Sequence, residues 1–141
     1  MNPDAAKVRA FLIDLKSRMY KIAVIYIPDA HLSRQIAIDL GEEGSVQIVD
    51  CIEEILPSMQ PGCEGSEEIM DLLENMARRT DKPLFLKDFD VVLSLLPGGK
   101  LEASQLFSSL SRLRPTRAIG LGLRRCDLLP PDFPKERVLQ F

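Results

Sequence analysis

The chain has one histidine, three cysteines and few aromatic residues, only 6% of its 141 positions. A single histidine excludes a histidine-rich metal centre. Cys51, Cys63 and Cys126 are odd in number, far apart and without C-x-x-C spacing, a pattern that fits neither a disulfide framework nor a zinc knuckle. Reduced thiols and no metal site are the expectation. Long apolar runs are missing as well: the longest, Ile22 to Ile27, is strand-sized and far short of the ~18–20 residues that cross a bilayer. The segment Met1 to Lys7 lacks the basic start, apolar stretch and small-residue cleavage site of a secretory leader. These absences predict a soluble, cytoplasmic protein with no membrane partner.

Several chemical signatures are also missing. No G-x-G-x-x-G follows the first apolar segment, no G-x-x-x-x-G-K-[ST] occurs, and no G-x-S-x-G occurs. A standard NAD site, a Walker loop and a nucleophile elbow are thereby excluded. Arg112, Arg114, Arg117, Arg124 and Arg125 form a basic cluster, but no aromatic residue lies between them to stack on bases. Specific nucleic-acid recognition is therefore not expected.

What is present is enough apolar residue, 45%, to bury a core in one domain spanning 1–141. The net charge of -3 hides a division. Between Glu42 and Asp90 there are 13 acidic and four basic residues, whereas Lys100 to Phe141 carries eight basic and four acidic. The division suits a charged partner or an anionic ligand, or simply two solvated faces.

Asn2 and Pro3 suit an N-cap and first helical position, and Val8, Phe11, Leu12, Leu15 and Met19 follow at helical spacing. This extra N-terminal helix either covers part of the sheet or meets a second subunit. Ile22 to Ile27 reads as a strand, and Leu32, Ile36 and Leu40 form a helical stripe that Gly41 would close. Val46 to Asp50 is the second strand. Cys51 to Gly65 reads as a short helix and an irregular loop, because Pro57, Pro61 and Gly62 interrupt it. A helix opens at Ser66 with Ile69, Leu72, Leu73 and Met76 on one side. The apolar run Asp90 to Leu96 predicts a strand buried on both faces. A helix over about 101–114 and a strand over 117–123 follow, and Glu136 to Phe141 adds an edge strand. Alternation of strands and helices predicts a three-layer α/β sandwich with a mostly parallel sheet, flavodoxin-like or Rossmann-like.

In such sheets ligands bind beyond the carboxyl ends of the strands. Pro28 to Ser33 delivers the only histidine, beside an aspartate, to a helix start, where unpaired N–H groups favour anions. Asp29 suits an N-cap, while His31 is open to ligand contact or plain exposure. Gly98, Gly99 and Lys100 form a glycine-rich turn that either cradles a phosphate or is only a loop. Gly120 and Gly122 permit close backbone approach. Asp50 ends the second strand about where dinucleotide folds hold a ribose, though without the glycine fingerprint. Cys51 and Cys126 both follow strands, and a catalytic thiol there would need His31 as its base.

Asp29-Ala30-His31, Ser94-Leu95-Leu96 and Gly120-Leu121-Gly122 together resemble the D-x-H-x-x-G, S-x-L and G-G signatures of cobalamin-binding domains. Arg34 stands where the first signature has glycine, and the final pair is Gly-x-Gly. The resemblance implies a flavodoxin-like fold, His31 near a cobalt and Ser94 near the nucleotide tail. From the residues themselves, the leading expectation is a ligand-binding domain for an anionic, nucleotide-like or phosphate-bearing molecule. Asp29, His31, Ser33, Ser94, Gly98, Gly99, Lys100, Gly120 and Gly122 would line its site. No motif specifies a cofactor. The alternatives are an accessory protein that assembles as a homodimer or with a protein partner, a corrinoid-binding protein, and a transferase or hydrolase using His31 with Asp29.

Overall fold

The computed structural model describes residues 1–59, 65–125 and 127–141. Cys63, Cys126 and the centre of the 51–65 loop lie outside them. Helix α1 (Pro3–Leu15) begins as its sequence requires, with the Asn2 side chain accepting the Asp4 N–H at 2.7 Å. It ends at Leu15, one turn before Met19, which is 60% exposed. Strand β1 (Ile22–Tyr26) leads into helix α2 (Ala30–Glu43), which runs past Gly41 to Gly44. Gly44 caps it because φ is +91° there, a left-handed turn that favours glycine.

Strand β2 (Gln47–Asp50) passes into a π-helical turn (Cys51–Ile55) and a short 3-10 turn (Leu56–Ser58). Helix α3 (Ser66–Arg78), strand β3 (Leu84–Lys87), a single-turn helix α4 (Asp90–Leu93) and helix α5 (Gly99–Leu110) follow. Strands β4 (Ile119–Leu123) and β5 (Val138–Gln140) complete the sheet.

One expected strand is corrected. Asp90–Leu96 does not form one; the strand at this level is Leu84–Lys87, and the run after it begins as helix α4. Periodicity alone does not separate a short buried strand from a short buried helix. Here the chain turns at Asp88, whose φ is +59°, and Phe89, Val92, Leu93 and Leu96 are then buried at helical spacing.

All five strands are parallel, in the order β2-β3-β4-β1-β5. The α/β class with a parallel sheet is therefore present, together with the additional N-terminal helix. The strand order is its own, since flavodoxin-like sheets run 2-1-3-4-5 and Rossmann sheets 3-2-1-4-5-6. Side-chain alternation divides the core into two layers. Ile22 and Val24 of β1 face a cluster built with α3 and α5, and Ala23 and Ile25 face one built with α1 and α2. Each fully buried aliphatic or aromatic side chain contributes about 1.5–3 kcal/mol of apolar burial.

The distribution of helices follows from handedness. The step from β1 to β2 crosses the sheet in one direction, and the steps β2-β3-β4-β5 return in the other. Right-handed crossovers then require α2 on one face and α3, α5 and the 124–137 segment on the opposite face. The packing agrees: Phe133 of that segment sits in the α3/α5 cluster, its ring 6.1 Å from that of Phe107 and nearly perpendicular to it. Helix α1 lies beside α2 over β1 and β4, so the extra helix covers the sheet face.

Candidate functional site

The connections that leave β1 and β4 go to opposite faces, yet the two strands are neighbours, with Tyr26 paired to Leu123 at their ends. This is the topological switch point, where two diverging connections leave a crevice beyond the carboxyl ends. A cleft of about 330 Å³ lies there, lined by Pro28 after β1, Arg124 and Arg125 after β4, Asp88, Asp90 and Val91 after β3, and Ile52.

The arrangement of charge within it is specific. Asp90 accepts the backbone N–H of Arg124 at 2.9 Å and that of Arg125 at 3.2 Å, so its carboxylate fixes the turn after β4. Arg125 pairs with Asp127 at 2.7 Å, and Lys100 reaches the same carboxylate at 3.6 Å. The Arg125 hydrogen bond, ahead of its charge and that of Lys100, holds Asp127 below the usual carboxylate range. The Arg124 guanidinium makes no hydrogen bond or ion pair with any described residue. Among the described residues that line the crevice, its side chain is a cation without a bonded carboxylate.

Beside it, Lys87 Nζ donates to Asp88 Oδ2 at 2.7 Å and lies 3.6 Å from Asp50 Oδ2. Burial pushes the Lys87 ammonium down, but the hydrogen bond and charge of Asp88 and the charge of Asp50 outweigh it, and the net shift is upward. Lys87 therefore remains a cation and is no nucleophile at neutral pH. Cys51 is fully buried, and burial first, then the charges of Asp50 and Asp88, push its thiol well above the usual range. A thiol in that state is inert.

Asp29 is the α2 N-cap, its Oδ1 accepting the backbone N–H groups of His31 and Leu32 at 2.8 and 3.1 Å. That carboxylate occupies the helix N-terminus itself. His31 is exposed on the same rim, and its imidazole has no hydrogen-bond partner among the described residues; Ser33 is buried in the first turns of α2. Ser94, Gly99 and Lys100 line a neighbouring cleft of about 220 Å³, which shares Asp90 and Arg125 with the crevice. The Ser94 hydroxyl donates to Val91 O at 2.6 Å. The Gly98 N–H is taken by Glu102 Oε2 and the Gly99 N–H by Leu96 O, so both amides of the glycine turn are engaged within the protein.

Gly120 and Gly122 sit inside β4, on the face towards α1. A Cβ on Gly120 would lie 2.7 Å from Ile25 Cδ1 and 2.8 Å from Leu12 Cδ2, and one on Gly122 would lie 2.8 Å from Leu86 O. Their missing side chains are the space that neighbouring core groups fill.

Asp50 does not take a ribose-holding position beside β1. Strands β3 and β4 intervene, three strand spacings or about 14 Å. Its Oδ1 instead accepts the Ile52 and Glu53 N–H groups. Asp88, Asp90, Val91 and Ile52 were absent from the sequence-based site. Only the polar breaks Lys87-Asp88 and Asp90 within the apolar stretch 84–96 hinted at a strand end there.

Among the described residues no three of His, Cys, Asp and Glu gather into a metal-holding group, and no helix is long and apolar enough to cross a membrane. No family model, curated protein or solved structure matches the chain.

Proposed function

We propose that this is a cytoplasmic ligand-binding domain whose site is the β1/β4 crevice and whose ligand is an anion, phosphate-bearing or nucleotide-like. The observation that carries the reading is the Arg124 guanidinium, without a partner among the described residues, in the same cleft as the apolar surface of Pro28, Ile52 and Val91. The two carboxylates of the crevice are already engaged, Asp88 by Lys87 and Asp90 by the amides after β4. Arg124 is the cationic group left for an anion to meet there. Lys100 and Arg125, tied loosely and closely to Asp127, widen the positive field towards Ser94 and Gly99.

Calorimetry and thermal shift against pyrophosphate, nucleoside phosphates and a corrinoid test the reading. A corrinoid belongs in the set because His31 is exposed on the same rim and its imidazole has no hydrogen-bond partner among the described residues. Binding of a phosphate-bearing compound that Arg124→Gln weakens about tenfold is the expected result, the loss of one charge-assisted contact. No binding by any of them would overturn it.

A second reading, assembly through protein contacts, rests on the β2 edge of the sheet. Ile38 and Ile52, 45% and 46% exposed, flank the unpaired edge of β2. Light scattering that finds only monomer would dispose of self-assembly.

A further inference from the structure

We infer that the ligand of this crevice is a phosphorylated polyol, its anionic group on Arg124 and one of its hydroxyls donating to Asp88; the inference rests on the anion-binding reading above. Asp88 is 8% exposed and adopts φ +59°, a left-handed conformation that aspartate tolerates at a cost and that concentrates at ligand sites. Its Oδ2 takes the Lys87 ammonium at 2.7 Å. Its Oδ1 accepts no hydrogen bond from a described residue. Among the described residues no buried side-chain oxygen lacks a partner, so Oδ1 is not sealed in the core, and Asp88 forms part of the wall of this cleft.

A held carboxylate oxygen with free lone pairs selects a hydrogen-bond donor. A second ammonium is disfavoured, because Lys87 already compensates Asp88 and Arg124 repels cations entering the same cleft. A neutral hydroxyl meets both conditions. Asp90 offers no equivalent, since both of its oxygens hold the amides after β4. The apolar surface of Pro28, Ile52 and Val91 suits the C–H face of a sugar ring. The volume of about 330 Å³ lies at the small end of ligand pockets, which run roughly 300–1,000 Å³, and so favours a single sugar phosphate over a dinucleotide.

Calorimetric titration of the whole chain with D-ribose 5-phosphate, n-pentyl phosphate and inorganic phosphate tests this. The sugar phosphate is expected to bind about tenfold or more tightly than the alkyl phosphate, the factor that one hydrogen bond to a charged acceptor supplies. Asp88→Asn, which tolerates the same backbone conformation, is expected to erase most of that ratio. Equal affinity of wild-type protein for the sugar and alkyl phosphates would overturn the polyol inference and leave the anion site standing. Failure of all three to bind would overturn both. The wild-type ratio decides the matter even where the variant does not fold.

Discussion

Adding one methyl group to Gly122 probes whether β4 is built for packing or for a ligand. Its Cβ would fall 2.8 Å from the backbone oxygen of Leu86 and 3.0 and 3.2 Å from the Phe85 ring. The carbonyl belongs to β3, paired with β4 through Leu86 and Leu121, so it yields only if the sheet ladder shifts. Overpacking of this kind costs about 1–3 kcal/mol, against which alanine regains ~0.4–1 kcal/mol of chain entropy where its backbone conformation is tolerated. With a rigid backbone atom in the way, the upper part of the range applies, a net loss of about 2 kcal/mol. Gly120→Ala is the control, because the atoms it meets, Ile25 Cδ1 and Leu12 Cδ2, are ends of side chains that can rotate. Its expected net loss is about 1 kcal/mol or less. Urea denaturation followed by circular dichroism reads both, and Gly122→Ala should lower the midpoint by about 1 M. A wild-type midpoint for Gly122→Ala would refute the packing account of these glycines.

Three further outcomes follow from the same geometry. Arg137 is buried, donates to Ile22 O at 3.1 Å and Ser111 O at 2.7 Å, and lies over the Tyr20 and Phe133 rings. Arg137→Met should therefore cost about 2–4 kcal/mol in a thermal melt, and a loss under ~0.5 kcal/mol would contradict the clamp. The Cys51 peptide should resist iodoacetamide in native protein and be alkylated in urea, whereas native labelling would show the thiol accessible. Lys87 titrates higher folded than unfolded, so its ion pairs stabilise in full below its unfolded value, ~10.4, and fade as pH rises through the folded one. The stability gap between wild type and Lys87→Met should thus be constant from pH 7 to 10 and narrow above, and a gap independent of alkaline pH would contradict the pairing.

The parts of the fold that local chemistry specifies could be read in the chain. Asn2-Pro3 starts α1, Asp29 caps α2, and the stripe Leu32, Ile36, Leu40 packs inward, each within one or two turns of sequence. Helix ends were harder, because Gly41 and Gly44 are both plausible stops and only Gly44 takes positive φ. Asp90–Leu96 misled for a related reason: a short apolar run suits a central strand and a short, partly buried helical turn alike. Strand order was not readable at all, since the pairing of β1 with β4 joins residues nearly a hundred positions apart. The candidate site inherits that limit. The turns after β1 and β4 were evident as strand ends, but Asp88 and Asp90 join them only because β3 lies next to β4, and Ile52 because β2 lies next to β3. Arg124 stood out solely as one member of a basic cluster, and what distinguishes it is the lack of a side-chain partner among the described residues, a tertiary property.

A map of backbone amide shifts in ¹⁵N-labelled protein titrated with pyrophosphate shows whether the β1/β4 crevice binds an anion. Asp88, Val91, Arg124 and Arg125 are expected to move together and saturably, and Arg124→Gln to suppress the response. Shifts confined to the opposite rim, at the cleft lined by Lys16, Lys21 and Arg117, would contradict binding in the crevice.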